Sequence, residues 1–300
     1  MDITVLVNPS ARGGTAGGFA DRAIARLAER GLALSVIHET DATSSRSRLR
    51  TALAGGVDGL VVVGGDGTVA LALQELAGTD IPLGIIPAGT GNDIAAALGI
   101  PEQDPERAVD LVVDARTRAV DLARITRPDG TSTVFCSVLA TGFDSRVNDR
   151  ANRMTWPRGA ARYQIAILQE LARLRTSRYR VTWQDADGEG HERVQDLLMA
   201  SVANGPTYGG GIPICPPADP ADGLLDLFLV RSVGRMRFLR LLPRVNRGTH
   251  LGQPEIELHR ARSVTVAAAD ISAYADGEPV GALPLTVDVL PRALRAFAPV

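Results

Sequence analysis

Gly64-Gly65-Asp66-Gly67-Thr68 directly follows the apolar run Val61-Val62-Val63 and precedes a helical stretch. Glycines at the exit of a strand let backbone N–H groups approach an anion closely, and the start of the next helix adds a favourable dipole. Asp66 inside such a loop would repel phosphate unless a cation stood between them. That points to magnesium, because a carboxylate beside a phosphate cradle works through the ion and its waters. The plain alternative is a tight strand-to-helix turn with Asp66 as its cap. Pro87-Ala88-Gly89-Thr90-Gly91-Asn92-Asp93 repeats the arrangement after Leu83–Ile86 and before Ile94–Leu98. Two such loops at the ends of two parallel strands should face one crevice, which turn chemistry alone does not account for.

The elements that must position these loops alternate. Ile3–Val7, Leu32–Ile37, Leu60–Val63 and Leu83–Ile86 read as strands. Phe19–Arg30, Arg46–Leu53, Val69–Leu76 and Ile94–Leu98 read as the helices between them, with Ala23, Ile24 and Leu27 at helical spacing. Strand, crossover helix, strand is the signature of a three-layer α/β domain with a mainly parallel sheet, whose ligands bind at the carboxyl ends of the strands. The pattern changes near Val120-Asp121-Leu122. Thr133–Leu139, Tyr179–Trp183, Leu197–Ala203, Leu224–Val230, Ser263–Ala267 and Leu285–Leu290 then read as strands bounded by turns such as Asp187-Gly188 and Asp276-Gly277. Helical segments at about Ala160–Arg175 and Arg235–Arg247 interrupt them. The expected organisation is an α/β nucleotide domain over residues 1–122, with about 283–300 returning to it. An antiparallel β-sandwich-like domain over 123–282 completes it.

Composition narrows the chemistry. The chain has 300 residues, 45% of them hydrophobic and 22% charged, with a net charge of −2. That supports a packed core and gives no whole-domain basic excess, so nucleic acid is not the expected partner. All of the basic residues are arginine. Without lysine there is no Walker-type phosphate loop, no protein-kinase strand lysine and no pyridoxal Schiff base. Cys136 and Cys215 belong to no ligand-spaced motif and read as buried thiols. No membrane-spanning run or leader is recognised, which points to a cytoplasmic protein; if it meets lipid, it does so from the outside. The arginine-rich amphipathic segments around Ala160–Arg175 and Arg235–Arg247 suit an anionic membrane surface, although a solvated helix face reads the same way.

The motifs together resemble the diacylglycerol kinase catalytic family, in its bacterial soluble lipid-kinase branch. The resemblance runs through Asn8-Pro9-Ser10, Gly64–Thr68, Pro87–Asp93, Thr141-Gly142-Phe143-Asp144, Asn204-Gly205 with Tyr208–Gly211, Asp222–Asp226 and Asp276-Gly277-Glu278. It implies that Asn8, Thr40, Gly64, Gly65, Asp66, Gly67, Thr68, Gly89, Thr90, Gly91 and Asn92 line an ATP site. It also implies that Asp66 and Asp93 hold a catalytic Mg²⁺, partly through water. Asp219, Asp222 and the carbonyl of Leu224 match the ligands of a second, structural Mg²⁺. From residues alone, Asp276-Gly277 is only a hairpin turn. The resemblance makes Asp276 the base beside the acceptor hydroxyl, with Glu278 next to it.

The implied activity is transfer of the γ-phosphate of ATP to a lipid hydroxyl at the inner face of a membrane, with diacylglycerol the leading acceptor. Arg12, directly before Gly13-Gly14, is a candidate for neutralising the transferred charge. Ala70 and Leu71 depart from the Asn-Glu pair that relatives commonly carry there. The rivals are a kinase for a sphingoid base, ceramide or alkylglycerol, an NAD kinase, and a silent lipid- or nucleotide-binding regulator. Oligomeric state is not readable, and a homodimer is left open.

Overall fold

The computed structural model describes residues 1–8, 17–38, 41–101, 104–157 and 160–299. Thr40 and Arg12 lie outside the described residues. The chain separates into two compact units, Met1–Leu122 with Pro291–Val300, and Ala123–Leu290.

In the first unit, β1 (Asp2–Val7) pairs in parallel with both β2 (Ala33–His38) and β3 (Gly59–Gly64), and β3 pairs in parallel with β4 (Leu83–Pro87). Residues after Pro291 add the end of the last strand, which meets β4 in parallel at Ala296↔Leu83. β3 and β4 are buried along their whole length, and β1 from Ile3 onward. This is why they read as continuous apolar runs instead of alternating ones. Among the described residues five helices complete the unit: α1 (Gly17–Glu29), α2 (Ala42–Ala54), α3 (Asp66–Leu76), α4 (Asp93–Ala97) and α5 (Pro105–Val113). Strand order β2-β1-β3-β4 with right-handed crossovers puts α1 on one face and α2 and α3 on the other. Ion pairs tie the neighbours on each face, Arg26 to Glu106 and Asp110 between α1 and α5, and Arg46 and Arg50 to Glu75 between α2 and α3.

The second unit is antiparallel. Its strands are β6 (Ser132–Phe135), β7 (Val138–Thr141), β8 (Ser177–Asp185), β9 (Gly190–Ala203), β10 (Leu225–Arg231), β11 (Ile256–Ala268), β12 (Ser272–Ala275) and β13 (Glu278–Ala282). β5 (Thr117–Thr126) and β14 (Leu285–Phe297) enter and leave it. β9 and β11 each pair with β10 along one part and with β8 along another, so both strands pass from one sheet to the next, as in a sandwich. Tyr179, Val181, Leu197, Ala200, Leu227 and Val264 fill the core between the sheets. A second core lies over the other side of β9 and β10, where Leu198, Met199, Phe228 and Val230 meet three helices: α6 (Phe143–Arg153), α7 (Ala160–Ala172) and α8 (Arg235–Val245).

The run expected as one strand over Thr133–Leu139 is two, β6 and β7, broken at Cys136-Ser137. The sequence pattern does not announce α5 or α6 as helices. α6 carries eight polar residues among its eleven, so its apolar face shows only at Phe143, Val147 and Ala151.

Candidate functional site

Parallel pairing aligns the two glycine loops. Gly64 of β3 is level with Pro87 of β4, and the Ala88 N–H donates to the Gly64 carbonyl at 2.8 Å. Past that point the two backbones touch. A Cβ on Gly65 would lie 2.9 Å from Gly89 Cα, and one on Gly89 only 2.5 Å from Gly65 Cα. Glycine is required here by the close approach of the two chains. Two other helices of the unit begin with aspartate caps, Asp41 on Ser44 N and Asp104 on Arg107 N. α3 begins at Gly65 with no side-chain cap, and α4 at Asn92, left-handed at φ 60°, also with none. The Asn92 side chain turns back instead, accepting from Gly89 N at 2.9 Å and donating to Gly89 O at 3.3 Å.

Asp66 supplies the missing acceptor for α4, taking the Ile94 N–H on Oδ1 at 3.0 Å. It therefore caps a helix, but that of the neighbouring loop and not its own. A Cβ on Gly91 would lie 2.8 Å from Asp66 Oδ2 and 3.4 Å from Asp93 Oδ2, so the two carboxylates converge on that glycine. Burial, and beyond it the charge of Asp93, push the Asp66 carboxyl above its ordinary value, while the Ile94 amide pulls it down. Two acids held toward one point, with hard oxygen donors, fit a divalent cation such as Mg²⁺. Asn8, at the end of β1, donates from Nδ2 to Thr68 Oγ1 at 3.3 Å and so joins the same loop. Gly67 and Thr90 are exposed.

In the second unit, Asp276 occupies the turn between β12 and β13 with φ 49°, followed by Gly277 at φ 82°. It is buried, and its carboxylate spans the break between β6 and β7. Oδ2 accepts the Cys136 N–H at 2.9 Å and Oδ1 the Ser137 N–H at 2.8 Å. The opposite side of that bend is held by the Asn204-Gly205 motif. Asn204 Nδ2 donates to Cys136 O at 2.7 Å, and both Asn204 N and Gly205 N donate to Ser137 O. Two motifs far apart in sequence thus grip one dipeptide, which is why the expected strand breaks there. Glu278, the first residue of β13, is exposed.

Asp219 and Asp222 are exposed and lie in one turn before β10. Asp219 Oδ1 accepts from Ala221 N and Asp222 Oδ1 from Leu224 N, each at 3.0 Å. The other Asp222 oxygen takes the Arg260 guanidinium. The donor set is all oxygen, but a cationic side chain already faces it. In the sequence Asp144 is only part of a motif, with no role of its own. It lies buried in the first turn of α6, and burial pushes its carboxyl up to about 6, against a hydrogen bond from Tyr208 and the charge of Arg146. Its Oδ2 has no hydrogen-bond partner among the described residues. Its signal is the recurrence of a Gly-x-Asp pattern just after a strand, the same grammar as Gly64–Asp66.

Residues 2–125 match the model of the diacylglycerol kinase catalytic domain, and residues 137–298 match that of the YegS C-terminal NAD kinase beta sandwich-like domain. A diacylglycerol kinase of Mycobacterium tuberculosis (strain ATCC 25618 / H37Rv) is 47% identical over 297 residues, covering 99% of this chain and 95% of that protein. Lipid kinase YegS of Escherichia coli (strain K12) is 30% identical over 282 residues, covering 92% and 90%. A diacylglycerol kinase crystal structure from Bacillus anthracis str. Sterne has the same fold, with TM-score 0.70 at 22% identity over 99% of this chain and 97% of that one.

Proposed function

This chain belongs to the diacylglycerol kinase catalytic-domain family and is a kinase, and from that premise we propose that it phosphorylates diacylglycerol to phosphatidic acid with ATP. The observation that carries the reading is the pair of glycine loops in backbone contact, with Asp66 and Asp93 converging beside them. Phosphoryl transfer asks little covalent chemistry of a protein; it asks for positioning and for neutralisation of charge. The loop amides would hold the polyphosphate, and the absence of a cap on α3 leaves its N-terminus open to an anion. Asp66 and Asp93 would hold Mg²⁺, which when bound offsets the charge of the phosphates. Asn8 would fix Thr68 within the first loop.

Asp276 is the proposed base for the acceptor hydroxyl. Its two backbone hydrogen bonds lock the carboxylate in one orientation, as a positioned proton acceptor needs. Glu278 is a second acid on the same hairpin. The Asp219–Asp222 turn with the Leu224 carbonyl is the proposed structural metal site. Acting on a bilayer lipid makes the protein a peripheral one, working from the cytoplasmic side. Among the described residues no helix is long and apolar enough to cross a membrane.

The test is transfer of label from γ-labelled ATP to diacylglycerol, ceramide, a sphingoid base, an alkylglycerol and NAD, with and without a chelator. Label in phosphatidic acid that vanishes on chelation is the expected result. Label in another lipid would replace the acceptor and keep the chemistry. Label in NAD, or none at all, would overturn the reading.

A further inference from the structure

α8 is out of keeping with the rest of the chain. The protein has a net charge of −2, yet Arg235–Arg247 carries five arginines and no acid. Its inner side is ordinary: Phe238 and Leu241 are buried, and Phe238 packs 4.7 Å from Phe143 of α6. Its outer side holds Met236, 66% exposed, and Leu239, 40% exposed, among the arginines. Arg237 is engaged with Glu255. Arg235, Arg240, Arg244 and Arg247 are exposed and form no ion pair with another described residue. Acids at i,i+4 to arginines stabilise a solvated helix, and α8 has none. α7 closes the same core from a neighbouring segment and leaves Tyr163 and Leu168 exposed, with Trp156 shortly before it 80% exposed. Apart from Met1 and Val194, every large apolar side chain exposed among the described residues falls in these two segments. On α8 the two exposed apolar side chains stand three residues apart, on one side of the helix, which marks an interaction surface.

We propose that the outer face of α8 docks on an anionic lipid bilayer. Met236 and Leu239 enter the boundary between headgroups and acyl chains, and the four arginines lie over them with their stems along the apolar surface and their guanidinium groups at the lipid phosphates. The charge favours this occupant: four exposed arginines with no acid on their own helix complement phosphate headgroups. The proposal rests on the lipid-kinase reading, because such an enzyme must meet a membrane.

Co-sedimentation with phosphatidylcholine vesicles, with and without phosphatidylglycerol, tests it. The wild type should bind only the anionic vesicles, and less as salt rises. Arg240→Gln with Arg244→Gln should lower the partition coefficient roughly 25-fold, at about one arginine's worth of surface attraction each. Met236→Gln with Leu239→Gln should abolish most of the remainder. All of these positions are exposed, so the variants should fold, and they should turn over a short-chain, water-dispersed diacylglycerol at the wild-type rate. Equal binding by variants and wild type, or a wild type indifferent to anionic lipid, would overturn the proposal. Should no lipid be phosphorylated while vesicle binding still depends on α8, the docking surface stands and the enzymatic reading falls.

Discussion

Asp66 and Asp222 are both acids in glycine-bearing turns, and both accept a backbone N–H, yet their neighbours are opposite. Asp66 faces Asp93 and is pushed toward protonation; Asp222 faces Arg260. A fold that holds two carboxylates together bears a cost that a bound cation removes, whereas an acid beside an arginine is already balanced. The first arrangement is therefore the one to read as chemistry, and the second reads first as structure. Asp276 is a third case: its carboxylate accepts two backbone N–H groups, one on each oxygen.

The largest effect that could break this comparison is at Asp66. Asp66→Asn keeps an oxygen for the Ile94 amide and removes the repulsion with Asp93. Turnover should fall by roughly 1,000-fold, as for loss of several kcal/mol of metal-assisted stabilisation, while the melting temperature stays level or rises. A matching loss of stability would mean that the pair is structural.

Gly89→Ala comes next. Its Cβ would meet the Gly65 backbone at 2.5 Å, so the loops must part, and displacement on the scale of 1 Å should cost roughly 100-fold in kcat/KM for ATP. Gly190→Ala, whose Cβ meets open space, is the control and should leave both activity and stability unchanged. Wild-type kinetics in Gly89→Ala would show that loop contact has no part in nucleotide positioning.

Asp144 sharpens the contrast through pH. Its carboxyl rises from 3.8 to about 6 on folding, so the native state binds more protons than the unfolded chain across that window. Wild-type stability therefore falls as pH climbs through it. Asp144→Asn removes this loss and should stabilise the protein at pH 7 by up to about 3 kcal/mol. Denaturant midpoints at pH 4 and pH 7 check it; the gap between wild type and variant should nearly close at the lower pH.

The smallest effect belongs to Asp222. Its contact with Arg260 is partly exposed, so Asp222→Asn should cost no more than about 1 kcal/mol without metal. If the turn also holds a cation, magnesium should raise the melting temperature of the wild type and not of the variant. An unresponsive wild type would leave Arg260 as the resident charge.

Much of the first unit is legible in the sequence. The buried strands β1, β3 and β4 announce themselves as unbroken apolar runs, and the glycines at the exits of β3 and β4 mark where backbone must come close to backbone or to an anion. The second unit is harder to read. Its strands are visible, but Cys136-Ser137 looks like the middle of one, because the groups that interrupt it, Asp276 and Asn204, lie 140 and 68 residues away. α6 hides behind its polar composition. Nothing in the local sequence of Asp66 says that it caps α4 instead of its own helix.

By itself the sequence determined most of the strands, the parallel and antiparallel halves, and the glycine loops, since periodicity and backbone freedom are local properties of residues. Only the tertiary structure decided which acids share space with another acid and which meet an arginine or an amide. Charge balance is set by neighbours in three dimensions, and the chain does not carry that information in any short stretch.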